Sequence, residues 1–138
     1  GRPSWTAPFA PERQAHNHEF ICQDAAVRIV RLRGSPRYNG QAGWVHSLRP
    51  GGLAVVQLPD VLGATNLELS CENLAPLERG QLVEVRGLVQ VVELNGQVGT
   101  VINVSEVNSR YSYTVEFAGG DVKILKSTNL LPKSRLWD

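Results

Sequence analysis

The sequence predicts an all-β fold: two tandem small β-barrels packed together, with an extended arm at each end. Three observations carry this. The chain repeats itself at an offset of 56 residues. Each copy is a train of short segments with apolar residues at alternate positions, broken by turn residues and without a helical period of useful length. Thirteen glycines and eight prolines in 138 residues supply the turns that many short strands need.

The repeat sets the organisation. Val27-Arg28-Ile29 falls on Val83-Glu84-Val85 and Leu32 on Leu88. Asn39-Gly40-Gln41 falls on Asn95-Gly96-Gln97, Gly43 on Gly99 and Val45 on Val101. Further on, Asn73-Leu74 meets Asn129-Leu130, and Pro76 meets Pro132. Between these anchors the register slips by three residues and recovers, so that Val56 matches Val115. A longer loop is therefore expected around residues 104–111 in the second copy and around 59–66 in the first. Insertions that cancel within loops are what two copies of one fold show. The boundaries that follow are an N-terminal arm at 1–24, a first barrel at 25–77, a second at 78–133 and a tail at 134–138. A unit of about fifty residues buries little apolar surface alone. The linker Leu77-Glu78-Arg79-Gly80-Gln81 is too short for free tumbling, so the barrels are expected to pack on each other. A single ten-stranded sandwich is the competing arrangement.

Taken in order, Val27–Leu32 and Val83–Leu88 begin with alternating apolar residues, as suits a strand with one buried face. Asn39-Gly40 and Asn95-Gly96 follow, a pair favoured in tight turns with positive φ at both central residues. Gly43–Leu48 and Gly99–Val104 read as second strands. Leu53–Leu58 and Tyr111–Phe117 read as third strands, and Tyr111, Tyr113 and Phe117 share a face by parity, as core residues do. Gly119-Gly120-Asp121 is a hairpin turn into Val122–Leu125, matched in the first copy by Leu67–Leu69. Each copy closes on Asn-Leu-x-Pro, where proline stops pairing and leucine plugs one end of the barrel.

This string of Val-x-Val-x-x-Leu, a polar stretch, Asn-Gly-x-x-Gly-x-Val, a pairing strand and a terminal Asn-Leu resembles the KOW-type and related SH3-like small barrels of transcription elongation factors and ribosomal proteins. The resemblance covers residues 25–77 and 81–133 and implies a binding module, since such barrels hold RNA, DNA, histone tails, proline-rich peptides or other subunits. Unlike many nucleic-acid-binding members, this chain has no strong basic surplus: 14 basic against 13 acidic side chains leave +1. In the second copy, Arg79-Gly80, Val83, Leu94-Asn95, Val98–Val101 and Arg110–Phe117 are also similar to the SH3-like stromal subunit of photosystem I.

Composition excludes several classes. At 42% apolar and 20% charged, the chain is foldable rather than disordered. No apolar run approaches the roughly 20 residues of a spanning helix. Two cysteines build no disulfide scaffold, which favours an intracellular home, organellar if a targeting segment has been removed. There is no methionine, so the chain reads as a processed or excised form. His16, His18 and Cys22 have a ligand-like spacing, but no second ligand pair follows, and a polar arm beside an unrelated cysteine is the simpler reading. His46 and Ser47 point to opposite faces of a strand and make no nucleophile–base pair. The glycine pairs at 51–52 and 119–120 lack the lysine and the strand–loop–helix setting of a phosphate cradle. No catalytic constellation and no cofactor site emerges.

Binding residues are more legible. Arg28, Arg31, Arg33 and Arg37 cluster around Tyr38, with Trp44 following. Arginine beside an aromatic holds phosphate and stacks bases, or grips an acidic protein surface; a charged strand edge that resists aggregation looks the same. Trp44, Tyr38, Tyr111, Tyr113 and Phe117 would be the members of any aromatic cage. On the arms, Trp5, Phe9 and Phe20 at one end and Leu136 and Trp137 at the other are anchors of the kind subunits insert into partners, or they pack back on the barrels. The expected function is a non-catalytic adaptor or structural subunit acting through protein–protein contacts. The alternative is a KOW-like RNA- or DNA-binding module using the arginine-rich edge of the first barrel.

Overall fold

A computed structural model describes residues 20–59 and 65–133. The described residues form two five-stranded antiparallel sheets that follow one another in sequence, with four short 3-10 turns and no longer helix. The first sheet contains β1 (Ala26–Ile29), β2 (Ala42–Arg49), β3 (Leu53–Leu58), β4 (Thr65–Ser70) and β5 (Leu74–Ala75), in the order β4-β3-β2-β1-β5. The second contains β6 (Leu82–Val85), β7 (Val98–Val107), β8 (Arg110–Phe117), β9 (Val122–Lys126) and β10 (Leu130–Pro132), in the order β9-β8-β7-β6-β10. The architecture is all-β and consistent with two small barrels, one of the sheets curling into a half-barrel.

The two halves match at bond level. Val45 N–H donates to Ala25 C=O and Val101 N–H to Gln81 C=O, each at 2.9 Å. Both β2 and β7 shift register by one residue after the equivalent valine, at Val45/Ser47 and Val101/Asn103. A bulge at the same place in both bends each long strand so that its hairpin can curl over its own core. Gly43 and Gly99 lie just before it, where a neighbouring strand crosses at close range.

Each half buries the alternating positions the sequence marks. Val27, Ile29, Val45, Val56 and Leu74 lie in one core; Val83, Val85, Val101, Tyr113, Val115 and Leu130 lie in the other. The second core also takes in Ala26, Ala42 and Leu77 from the first half. β1 is the reason. Its odd positions face its own core, and its even positions, Ala26 and Arg28, face the second half, where β10 touches both β1 and β2. Small alanines at the seam let two backbones approach.

Three local expectations are corrected. The first strands end at Ile29 and Val85 rather than Leu32 and Leu88, because Arg31 (φ 59°) and Gly87 (φ 73°) leave the extended region. Residues 104–111 are a lengthened hairpin rather than a loop: β7 and β8 stay paired out to Val107 opposite Arg110. The tip is Asn108-Ser109, both at positive φ, the two-residue turn whose twist suits a hairpin. Finally, only the glycine of each Asn-Gly pair has positive φ (Gly40 88°, Gly96 91°), while Asn39 and Asn95 are extended. Their side chains serve another purpose.

Candidate functional site

Asn39 Nδ2 donates to Leu32 C=O at 3.1 Å, and its Oδ1 accepts from Leu32 N–H at 2.8 Å. Asn95 does the same with Leu88, at 3.0 and 2.9 Å. An amide facing a peptide group in this way imitates one rung of a β-ladder, and it pins the loops 32–39 and 88–95 into one shape. A glutamine adds a second tie in each, from Gln41 Nε2 to Arg37 C=O and from Gln97 Nε2 to Glu93 C=O. At the far end, Asn73 and Asn129 bond back to the backbone at Val30 and Arg86, closing each unit. Replacing Asn95 by alanine is expected to cost about 1–2 kcal/mol in urea unfolding and to speed exchange of the Leu88 amide, and Asn39→Ala should do the same at Leu32.

On this common frame the two loops display opposite surfaces. The first carries Arg33, Ser35, Pro36 and Arg37; the equivalent positions of the second are Val89, Val91, Val92 and Glu93. Val89 is 86% exposed and Val92 57%. Backbone geometry is therefore common to both copies, and the chemistry shown to solvent is particular to each.

The structure disperses the four arginines. Arg28 lies in the seam, its Nε bonded to Pro76 C=O at 3.3 Å and 3.8 Å from a Glu78 carboxylate oxygen. Arg31 holds left-handed backbone where the second half has glycine, and its Nη2 donates to Glu72 C=O at 2.8 Å. Arg37 stacks on Tyr38, 4.9 Å from the ring centre, and donates to its hydroxyl at 3.0 Å. Arg33 is exposed and makes no ion pair or hydrogen bond among the described residues. Trp44 is half-buried beneath Arg86 of the second half, whose guanidinium lies 5.8 Å from its ring and bonds Asp24 C=O at 2.9 Å. Tyr113 and Phe117 belong to the core, so the aromatic residues do not converge on one cage.

What does converge is a cleft of about 760 Å³ between the halves. Arg31, Arg33, Glu72 and Pro76 line it from the first half, Glu106 and Tyr111 from the lengthened hairpin of the second. Phe20 packs edge-on against Tyr111 with ring centres 5.1 Å apart. Phe20 thus anchors on its own chain; Trp5, Phe9, Leu136 and Trp137, like His16 and His18, lie outside the described residues. Burial, then the charge and hydrogen bond of Glu106, push the Tyr111 hydroxyl above its ordinary value. Two arginines and two glutamates among its lining give the cleft a balanced charge.

Cys71 is buried, and desolvation pushes its thiol above its ordinary value; Cys22 is exposed. Among the described residues no group of three His, Cys, Asp or Glu side chains could hold a metal ion, and no helix is long and apolar enough to cross a membrane. The sequence reading missed Arg86, Glu106 and the exposed valines of the second copy. The valines were within reach: comparing the copies position by position, beyond the shared anchors, marks where they diverge. No family model matches the chain, and no curated protein matches it in sequence.

Proposed function

We propose that the chain is a non-catalytic module of two SH3-like, KOW-type barrels that acts as an adaptor or structural subunit through protein–protein contacts. The observation that carries this reading is the second loop. Val89, Val91 and Val92 are held out into solvent by the Asn95 clamp, at positions where the first copy carries Arg33, Ser35 and Pro36 on the same backbone frame. Apolar side chains retained on a surface without a folding role mark contact sites. The seam supports the same reading, because Ala26, Ala42 and Leu77 of the first half are buried in the second core and join the two loop-bearing halves. Free thiols at Cys22 and Cys71 accord with an intracellular home.

The nucleic-acid reading retains one favourable observation, an Arg33 without a partner among the described residues on the same loop as the Arg37–Tyr38 stack. Against it, Arg28 and Arg31 are tied to carbonyls of their own chain, and Glu72 and Glu106 line the cleft with Arg31 and Arg33. Capture of partners from the native source, with and without nuclease, separates the two. The protein-binding reading expects capture that survives nuclease, is lost in a Val89→Asp, Val92→Asp double variant and is unchanged in Arg33→Ala, Arg37→Ala. Nuclease-sensitive capture that weakens steeply with salt and follows the arginines would replace it with the nucleic-acid reading.

A further inference from the structure

Among the described residues β9 is the outer strand of the second sheet and pairs only with β8. Phe117 N–H donates to Asp121 C=O at 2.8 Å, which fixes the alternation along this hairpin. Lys123 and Leu125 face the bonded side opposite Val115 and Tyr113, so Val122, Ile124 and Lys126 turn their N–H and C=O groups outward. Among the described residues the N–H and C=O groups of Val122 and Ile124 and the N–H of Lys126 have no partner, whereas the Lys126 C=O accepts the first bond of the 3-10 turn Ser127–Asn129. The side chains on the same row are apolar and in solvent, Ile124 at 72% exposure and Val122 at 49%. Lys123 and Lys126 are exposed, and neither forms an ion pair among the described residues, although Asp121 and Glu116 are near in register.

The first half provides an internal control. At the same offset, its edge strand β4 carries Asn66, Glu68 and Ser70 where β9 has Val122, Ile124 and Lys126. Glu68 is neutralised by Arg49 at 3.3 Å. A polar row at this edge is thus compatible with the fold, and the apolar, basic row of β9 is not a folding requirement. Unpaired lysines leave the second edge with positive charge to complement.

From these observations we infer that β9 is a docking edge for an extended acidic segment of a partner protein, which adds to the second sheet as a further antiparallel or parallel strand. Main-chain bonds to Val122, Ile124 and Lys126 hold the segment, its apolar side chains lie over Val122 and Ile124, the carboxylates that alternate with them meet Lys123 on the opposite face, and Lys126 takes a carboxylate beyond the apolar pair. Two copies of this chain are a poor alternative occupant, since edge-to-edge pairing would bring four lysines together.

The test uses the full chain and two short synthetic peptides, one alternating glutamate with valine and one with lysine in place of glutamate. The glutamate peptide is expected to slow amide exchange of Val122, Ile124 and Lys126 about tenfold or more, to leave Glu68 unaffected, and to bind about tenfold better than the lysine peptide. Ile124→Pro removes the central outward N–H and should abolish the protection. Lys123→Glu with Lys126→Glu keeps the strand and should reverse the preference. No slowing with the glutamate peptide, equal response to both peptides, or β9 amides already protected in the free chain would each overturn the inference. It rests on the protein-binding reading, yet the two fail separately. Full partner capture by Ile124→Pro overturns this edge and leaves that reading standing, whereas absence of any nuclease-resistant capture removes both.

Discussion

Tyr113→Ala is expected to lower unfolding stability by about 3–5 kcal/mol, the largest effect of any single truncation in the second half. The side chain is fully buried at the centre of β8, and its hydroxyl accepts a 3.1 Å hydrogen bond from Leu77 N–H, in the segment that joins the halves. Truncation would open a cavity and orphan a buried donor at once. Tyr113→Phe separates these effects: it keeps the ring, leaves Leu77 N–H unpaired, and should cost about 1–2 kcal/mol. Urea unfolding of the three chains checks the ordering. The same residue gives an alkaline signature. Burial first, then the nearby Tyr111, push its hydroxyl up to about 12, with the Leu77 bond and Arg28 pulling the other way. In the unfolded chain a tyrosine ionises near 10, so above that pH the unfolded state holds fewer protons and gains relative stability. The contribution is intact below pH 10 and declines between pH 10 and 12. The loss is on the order of 2 kcal/mol, and Tyr113→Phe should lack this part of the decline.

Gly99→Ala and Gly43→Ala are expected to cost about 3 kcal/mol each, although the change adds a single methyl group. A Cβ on Gly99 would meet Val115 Cγ1 at 2.6 Å and the Glu116 carbonyl oxygen at 2.7 Å. On Gly43 it would press on the Gln57 carbonyl oxygen and on Leu58. Neither glycine has positive φ, so the penalty comes from close backbone approach between paired strands, which cannot move without breaking the ladder. Gly34→Ala, with open space around it, serves as the control and should be near neutral. Thermal unfolding of the three variants distinguishes this account from a general intolerance of glycine loss. Equal effects at all three positions would refute it.

The repeat made the strands legible. Once Val27 is matched to Val83 and Gly43 to Gly99, an alternation weak in one copy is supported by the other, and β3 has the predicted bounds, Leu53–Leu58. The candidate site was less legible because function-bearing residues and structure-bearing residues look alike in a linear reading. Four arginines within ten positions suggest one surface, but β1 alternates and then breaks at Arg31, so Arg28 enters the seam, Arg31 bonds a carbonyl, and only Arg33 and Arg37 remain on the exposed loop. The cleft was illegible for a different reason: Arg33 and Tyr111 meet across 78 positions of chain through a packing of halves that no local pattern encodes.

By itself, the sequence determined the all-β class, the duplicated unit and the identity of most core positions. These follow from side-chain alternation and turn chemistry, which act over a few residues and so leave a periodic mark. Tertiary structure decided which face of β1 meets the other half, which arginines remain free, and which strand edge is left unpaired. Those outcomes depend on how the seam buries Ala26, Ala42 and Leu77 against the second core, a balance of apolar contact summed over both halves at once.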